Sequence, residues 1–494
     1  MRKFFEIQGR FDCPFIVEVS LNHNCRDEII PILESLKYIY SQTDLCTTIM
    51  DSIAQDVNKT SSSRRGRPGM DYWQILVLSA VRLGCNLDYD KLQDLAEQHR
   101  ALRQIMGVGD WNPDNQFDWR RINDNIHKVQ PDTIREISQW IAEAGHLLVP
   151  EAPKAVRGDS FVVPTNIHYP TDSSLIGDGL RKLLEIAPTL AKLVHEGGWR
   201  QYKHLQKKGK KILCKLNKIT TAKGKHYQAK LKGAYKSLLR FAQHIMEKSL
   251  VLKSAVERYL QNHFLPLSDA EELHAQLDYY ISATERVCDQ ARRRVLKGET
   301  IPPEEKLFSL FEPHTELIHR GKTPNPIEFG HRVFIVEDAA GFICHHKVME
   351  NGEQDQDVLI PEMKKLQDRL GGAIERASFD RGFHSPQNQT ELQEILAHPC
   401  IAAKGKHKEE EQKRQATIQF RRARKNHPGV ESAIGALQSG NGLERCRDRS
   451  YLGYQRYVAL GVLGRNLHVL GKILIAQANA EARAGISKRL PIAV

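Results

Sequence analysis

Three acidic residues in this 494-residue chain occupy settings that could serve metal-assisted phosphoryl chemistry. Asp159 lies inside the apolar run 156–163. Asp380 closes the segment 374–380 and leads into Arg381-Gly382-Phe383-His384, and Glu431 follows His427-Pro428-Gly429-Val430. The apolar runs predict strands and the Pro428 step predicts a helix start, so two carboxylates would sit on strands and the third in a first helical turn. Phosphodiester cleavage needs an activated oxygen nucleophile, a stabilised leaving oxygen and in-line approach. Two divalent ions about 3.5–4 Å apart can provide all three. Mg²⁺, with Mn²⁺ as a substitute, takes hard oxygen ligands, and a few carboxylates suffice because water and phosphate complete the shell. Neighbouring strands about 4.8 Å apart would let Asp159 and Asp380 share one ion. The dipole at a helix start favours an anion at Glu431. Clustered carboxylates repel one another, a cost that a purely structural site would avoid. Singly, each residue also fits a plain turn, a local ion pair or a helix-dipole partner; the weight lies in their joint placement. Glu337 and Asp338 fall at a turn and are expected to take no part.

Charge points to the partner. The formal net charge is +12, which favours a polyanion such as double-stranded DNA. Residues 201–240 contain thirteen lysines and arginines, Lys207, Lys208, Lys210 and Lys211 among them, and no Asp or Glu. Tyr202, Tyr227 and Tyr235 are interleaved. A charge run is commonly a solvated face, but forty residues without an acid favour contact with a phosphate backbone. Arg65-Gly66-Arg67-Pro68 resembles an AT-hook, in which arginines on extended backbone enter a narrow minor groove, and it also fits a plain polar linker. The most apolar stretch, 457–476, is broken by Arg465, His468 and Lys472, so no membrane span is expected. The N-terminal residues lack a signal-peptide core. Nine cysteines without a Cys-x-x-Cys pair suit reduced thiols in a cytoplasm.

These residues must be held by an ordered set of elements. Residues 1–150 read as a helical N-terminal, DNA-binding domain, with a dense apolar helix over 70–83, a break at Gly84-Cys85-Asn86 and a second helix from Asp88. Residues 151–174 supply a first strand, with Asp172 as the cap of a following helix. Residues 175–326 read as a basic helical insertion and 327–475 as the remainder of the catalytic domain, with 476–494 as a tail. The charged stretch 404–425 reads as a mobile loop. Without the insertion the order is β, β, β, α, β, α, β, α. That argues for an α/β mixed sheet with helices on its faces, in the order of the ribonuclease H-like fold, carrying a large helical insertion after its first strand.

With these parts in place the chain resembles DDE transposases of bacterial insertion sequences (the IS4/IS5-like superfamily, in the group with a long helical insertion). The resemblance rests on Gly158-Asp159-Ser160, Thr165-Asn166-Ile167-His168-Tyr169-Pro170-Thr171-Asp172, Phe308-Ser309-Leu310-Phe311-Glu312-Pro313-His314-Thr315, Ser378-Phe379-Asp380-Arg381-Gly382-Phe383-His384, His427-Pro428-Gly429-Val430-Glu431 and Arg465-Asn466-Leu467. It implies that Asp159, Asp380 and Glu431, separated by 221 and 51 residues, are the catalytic triad and ligands of two Mg²⁺ ions. It implies cleavage of DNA at the terminal inverted repeats of an element, then attack of the freed 3′-OH on target DNA, within a homodimeric synaptic complex. One departure stands out. Where the resembled enzymes carry Arg four residues before the Glu and Lys seven after it, this chain has His427 and Gln438. Arg424, Lys425, Arg445 and Arg447 are the substitutes expected to hold phosphate. A nuclease that hydrolyses without joining, and a transposase-derived protein that only binds DNA, share enough of these features to stand as alternatives.

Overall fold

The protein is described here from a computed structural model covering residues 11–59, 69–109, 117–222, 224–262, 268–319, 326–403 and 409–489. Arg65 and Arg67, and with them the AT-hook reading, lie outside the described residues.

Helices precede the first strand: α1 (Ile29–Ser41), α2 (Thr43–Lys59), α3 (Tyr72–Gly84), α4 (Tyr89–Gln98), α5 (Arg100–Ile105), α6 (Trp119–Ile126) and α7 (Pro131–Leu148). Local chemistry sets their ends. Asp88 accepts the Lys91 N–H at 2.8 Å and starts α4, and Pro131 occupies the first turn of α7, where a missing N–H costs nothing. Then come β1 (Ala155–Pro164) and the helices α8 (Asp172–Leu193), α9 (Tyr202–Ala222), α10 (Tyr227–Gln261) and α11 (Ser268–Ala291). The chain continues through β2 (Glu316–His319), β3 (Ile327–Asp338), β4 (Ile343–Val348), α12 (Asp355–Arg369), β5 (Arg376–Phe379), α13 (Pro386–Ile395) and β6 (His398–Ile401). It finishes with α14 (Glu409–Ala416), α15 (Ile418–Asn426), α16 (Gly429–Ser439) and α17 (Tyr451–Arg489).

The result is a mostly helical α/β structure around a mixed six-stranded sheet in the order β2-β3-β1-β5-β6, with β4 paired to β3. β1 runs parallel to β5 and β5 parallel to β6, while β2 and β4 run antiparallel to β3. Parallel neighbours need crossovers, and α13 provides the one between β5 and β6.

The chain divides into two compact units, residues 1–166 with 331–494 and residues 167–330. In the first, the helices before β1 do not stand alone. Ile32, Leu36, Trp73, Leu76 and Ile137 belong to one core with Ile335, Val336, Phe379, Leu460 and Leu467. α3 is buried on almost every side, and α17 packs against α1, α3 and α7. α17 is long and apolar enough to fit a membrane span by length and composition, yet 67% of its apolar window is buried inside the protein. It runs through the expected boundary at 475.

The second unit has its own core, in which Leu183, Leu190, Leu238, Ala242, Ile245, Leu277 and Val287 join the four helices α8 to α11. Its first helix starts differently from expectation. Thr171, not Asp172, is the cap, through a capping box with Ser174, because the side chain one position earlier reaches the Ser174 N–H at 3.1 Å. Asp172 sits instead in the first turn, buried and paired with Arg294 at 2.9 Å. The stretch expected as a mobile loop is also helical where it is described. Thr417 caps α15, and Arg414 bonds the Ile401 carbonyl at 2.7 Å, tying α14 to the end of β6.

Candidate active site

The pairing of β1 with β5 sets the site. Arg157 lies opposite Ser378 and Gly158 opposite Phe379, so one step further along the parallel pair Asp159 and Asp380 are neighbours. Strand side chains alternate, which puts Arg157, Asp159, Ser378 and Asp380 toward one face. Asp380 follows the last residue of β5 and caps the short turn Arg381–Phe383.

The α15–α16 junction is fastened to the same face. Arg157 donates through Nη1 to the Asn426 carbonyl at 3.2 Å, and His427 Nδ1 lies 3.3 Å from Ser378 Oγ. A Cβ at Gly429 would overlap the Arg157 guanidinium, so a larger residue there would displace that arginine from the helix start. Glu431, in the first turn of α16, is thereby delivered toward Asp159 and Asp380.

Electrostatics report the convergence. Partial burial raises the Asp159 carboxyl to about 6. The Ser160 N–H, 2.8 Å from Oδ1, opposes this, while the charges of Asp380, Asp355 and Glu431 add to it. Among the described residues none of the three sequence-predicted carboxylates has an ion-pair partner. The adjacent cation is committed elsewhere, because Arg157 Nε donates to buried Glu337 at 2.6 Å. The charges of Asp355, Asp380 and Glu431 reach Asp159, although no three of these carboxylates bring oxygens within 4.8 Å of one another. Asp380 and Glu431 are exposed, so the cluster is open to a large substrate.

Sequence reasoning missed three contributors. Asp355, the first residue of α12, is the fourth charge of the cluster and accepts from Ser160 Oγ at 2.7 Å. Arg157 and Glu337 form the buried link under the α16 start. The acidic pair Asp355 and Asp357 ahead of an apolar helical pattern was the available signal for α12, though not for its neighbours in space.

The expected phosphate contacts are spread more widely. Lys207, Lys208, Lys210 and Lys211 are exposed on α9, whose other face sends Leu205, Ile212 and Leu216 into the core of its unit. Lys208 Nζ also lies 5.7 Å from the Phe241 ring centroid. Arg424 and Lys425 are exposed in the last turn of α15, and Arg445 is exposed before α17. Arg447 is used internally, donating to the Tyr457 hydroxyl at 2.9 Å and to Asn86 Oδ1 at 2.8 Å. Burial lowers the His427 imidazole below its ordinary value despite the pull of Asp380, so at neutral pH it stands uncharged where the resembled enzymes carry Arg. The two helices flanking Gly84-Cys85-Asn86 are α3 and α4. α3 is interior, and α4 exposes Asp90 and Asp94 beside Lys91.

Among the described residues, one group has metal-capable atoms this close together, and it lies in the first unit. His146 Nε2, Asp338 Oδ2 and Cys344 Sγ fall within 4.8 Å of one another. Asp338 Oδ1 accepts the N–H groups of Ala340, Gly341 and Phe342, and Oδ2 is 2.7 Å from His146 Nε2. Burial drives the Cys344 thiol well above its ordinary value. Such a mixed donor set suits zinc or another transition ion better than Mg²⁺. Each donor already has a hydrogen-bond partner within the trio.

Comparison with models of known protein families, with curated proteins and with solved structures finds no match for this chain.

Proposed function

We propose that the protein is a Mg²⁺-dependent transposase that cleaves DNA at the ends of an insertion element and transfers the strand to a target. The observation carrying this reading is the convergence of Asp159, Asp380 and Glu431 from two parallel strands and a helix start into one uncompensated anionic cluster. The order β1, β3, β4, α12, β5, α13, β6, with a separate helical unit between β1 and β3, supports a ribonuclease H-like sheet with an insertion.

In this reading Asp159, Asp380 and Glu431 would hold the ions. When bound, Mg²⁺ supplies the positive charge that activates the attacking oxygen and stabilises the leaving one. The residues of the chain do the positioning. Arg157 fixes the α16 start over β1, and the exposed lysines of α9 grip phosphate backbone. One observation favours hydrolysis without joining as the second reading. A neutral His427 and Gln438 leave the expected phosphate clamp without charge, so Arg424 and Lys425 would have to hold the strand.

Purified protein incubated with the DNA that flanks its gene tests the proposal. Asp380→Asn and Glu431→Gln should each lower Mg²⁺-dependent nicking by about a hundredfold or more while leaving DNA binding intact, as for carboxylates that hold the catalytic cation. Nicking at the wild-type rate by either variant would refute the assignment. Precut ends that are never joined to a second duplex would select the hydrolytic reading.

A further inference from the structure

We propose that Asp355 is a positioning residue of the carboxylate site, bracing the strand that carries Asp159 against the turn that carries Asp380. The inference rests on the metal-dependent reading above.

Asp355 opens α12, and that start is fixed by two reciprocal bonds. The Gln354 N–H donates to Asp357 Oδ2 at 2.8 Å, and the Asp357 N–H donates to the Gln354 carbonyl at 2.9 Å. From this anchored position the two oxygens of Asp355 face different elements. Oδ1 accepts the Ser160 hydroxyl at 2.7 Å. Ser160 also gives its N–H to Asp159 Oδ1 at 2.8 Å, so one residue touches both carboxylates. Oδ2 faces Gly382, where an added Cβ would stand 3.0 Å from it. Gly382 lies two residues beyond Asp380, in the turn that Asp380 caps. The nearest cation to Oδ1 is Arg332 at 4.0 Å, and it donates to Gln354 Oε1 at 3.2 Å. With Oδ1 engaged by Ser160 and Oδ2 facing the turn at Gly382, Asp355 is placed to act through its neighbours. Its charge adds to the field that a cation at Asp159 would relieve.

Mn²⁺ titration of the full-length, DNA-free chain by calorimetry gives a readout independent of cleavage. Wild type, Asp380→Asn, Ser160→Ala, Asp355→Ala and Asp355→Asn are compared, with circular dichroism to confirm the fold. Asp355→Ala and Ser160→Ala should each weaken Mn²⁺ binding by about 10–100-fold, the usual effect of losing a partner that orients a ligand. Ser160→Ala combined with Asp355→Ala should be no weaker than Asp355→Ala alone. Asp355→Asn keeps an acceptor for Ser160 and should recover most of the loss, and cleavage should follow the same order. If Asp355→Asn abolishes binding as fully as Asp380→Asn, Asp355 is a ligand and the bracing role is wrong. Wild-type affinity in Asp355→Ala also overturns it. Should that variant unfold, Ser160→Ala poses the same question from the strand side, and unchanged binding there is equally fatal. A wild-type chain that takes no Mn²⁺, or an Asp380→Asn chain that binds it normally, would remove the underlying functional reading instead.

Discussion

At the scale of single residues, Asp159 carries the tension of the site. Its carboxyl titrates at about 6 in the fold against an ordinary 3.8. The folded value is the higher one, so the group's stabilising contribution is present below the ordinary carboxylate range and is lost as pH rises through about 6. Above that pH, an ionised Asp159 opposes folding until a cation arrives. In chelator at about pH 8, Asp159→Asn should therefore melt higher than wild type, and the gap should close near pH 4. Added Mg²⁺ should raise the melting temperature of wild type but not of the variant. A variant that melts lower than wild type at both pH values would show that Asp159 is an ordinary structural carboxylate. The same residue shows what a sequence can disclose: an acid inside an apolar strand is visible in any one-dimensional reading. Asp355 is not, because its significance depends on Ser160, which lies 195 positions away.

Among elements, α9 separates its two jobs by face. Leu205, Ile212 and Leu216 secure it to its unit, and the lysines are left to solvent. Neutralising Lys207, Lys208, Lys210 and Lys211 together should weaken binding to every DNA sequence alike. It should also flatten the log–log salt dependence by about 0.9 for each lost duplex phosphate contact. An unaltered slope would mark the helix as merely solvated. Legibility varied among elements for physical reasons. β1, β5 and α13 announce themselves by apolar runs and by Ser385 with Pro386 at a helix start. The helices α14 and α15 were hidden because charge density in 404–425 reads as loop. The local Arg414–Glu411 pair and Thr417 cap support them, and the bond from Arg414 to the Ile401 carbonyl emerges only once β6 is placed. Thr171 and Asp172 are both good caps by type, and only the reciprocal Ser174 contact chooses between them.

For the first unit as a whole, the helical beginning and the end of the chain are one structure. Arg82 on α3 is buried against Asp448, just before α17, with one contact at 3.0 Å. Burial alone would raise the Asp448 carboxyl, but His127 and Arg82 hold it well below the usual carboxylate range. The folded value is the depressed one, so this stabilisation is present above the ordinary carboxylate range and is lost as pH falls below it. Asp448→Asn should destabilise by about 3–5 kcal/mol, the cost of leaving a buried charge unpaired, and its effect should shrink in acid. Denaturant melts showing a loss below about 1 kcal/mol would mean that the pair is dispensable. The two compact units do not divide at 150 or 475, for a related reason. Periodicity reveals that a helix has a buried face, not what it is buried against.

The packing of α17 against α1, α3 and α7 also has a consequence in time. At a translation rate of about 5–20 residues per second, β1 emerges from the ribosome on the order of ten to forty seconds before β5. The helix that completes their shared core comes later still. The acidic residues therefore lie on separate segments until β5 and α16 have been made, and the cluster comes into being only after Glu431 has been translated.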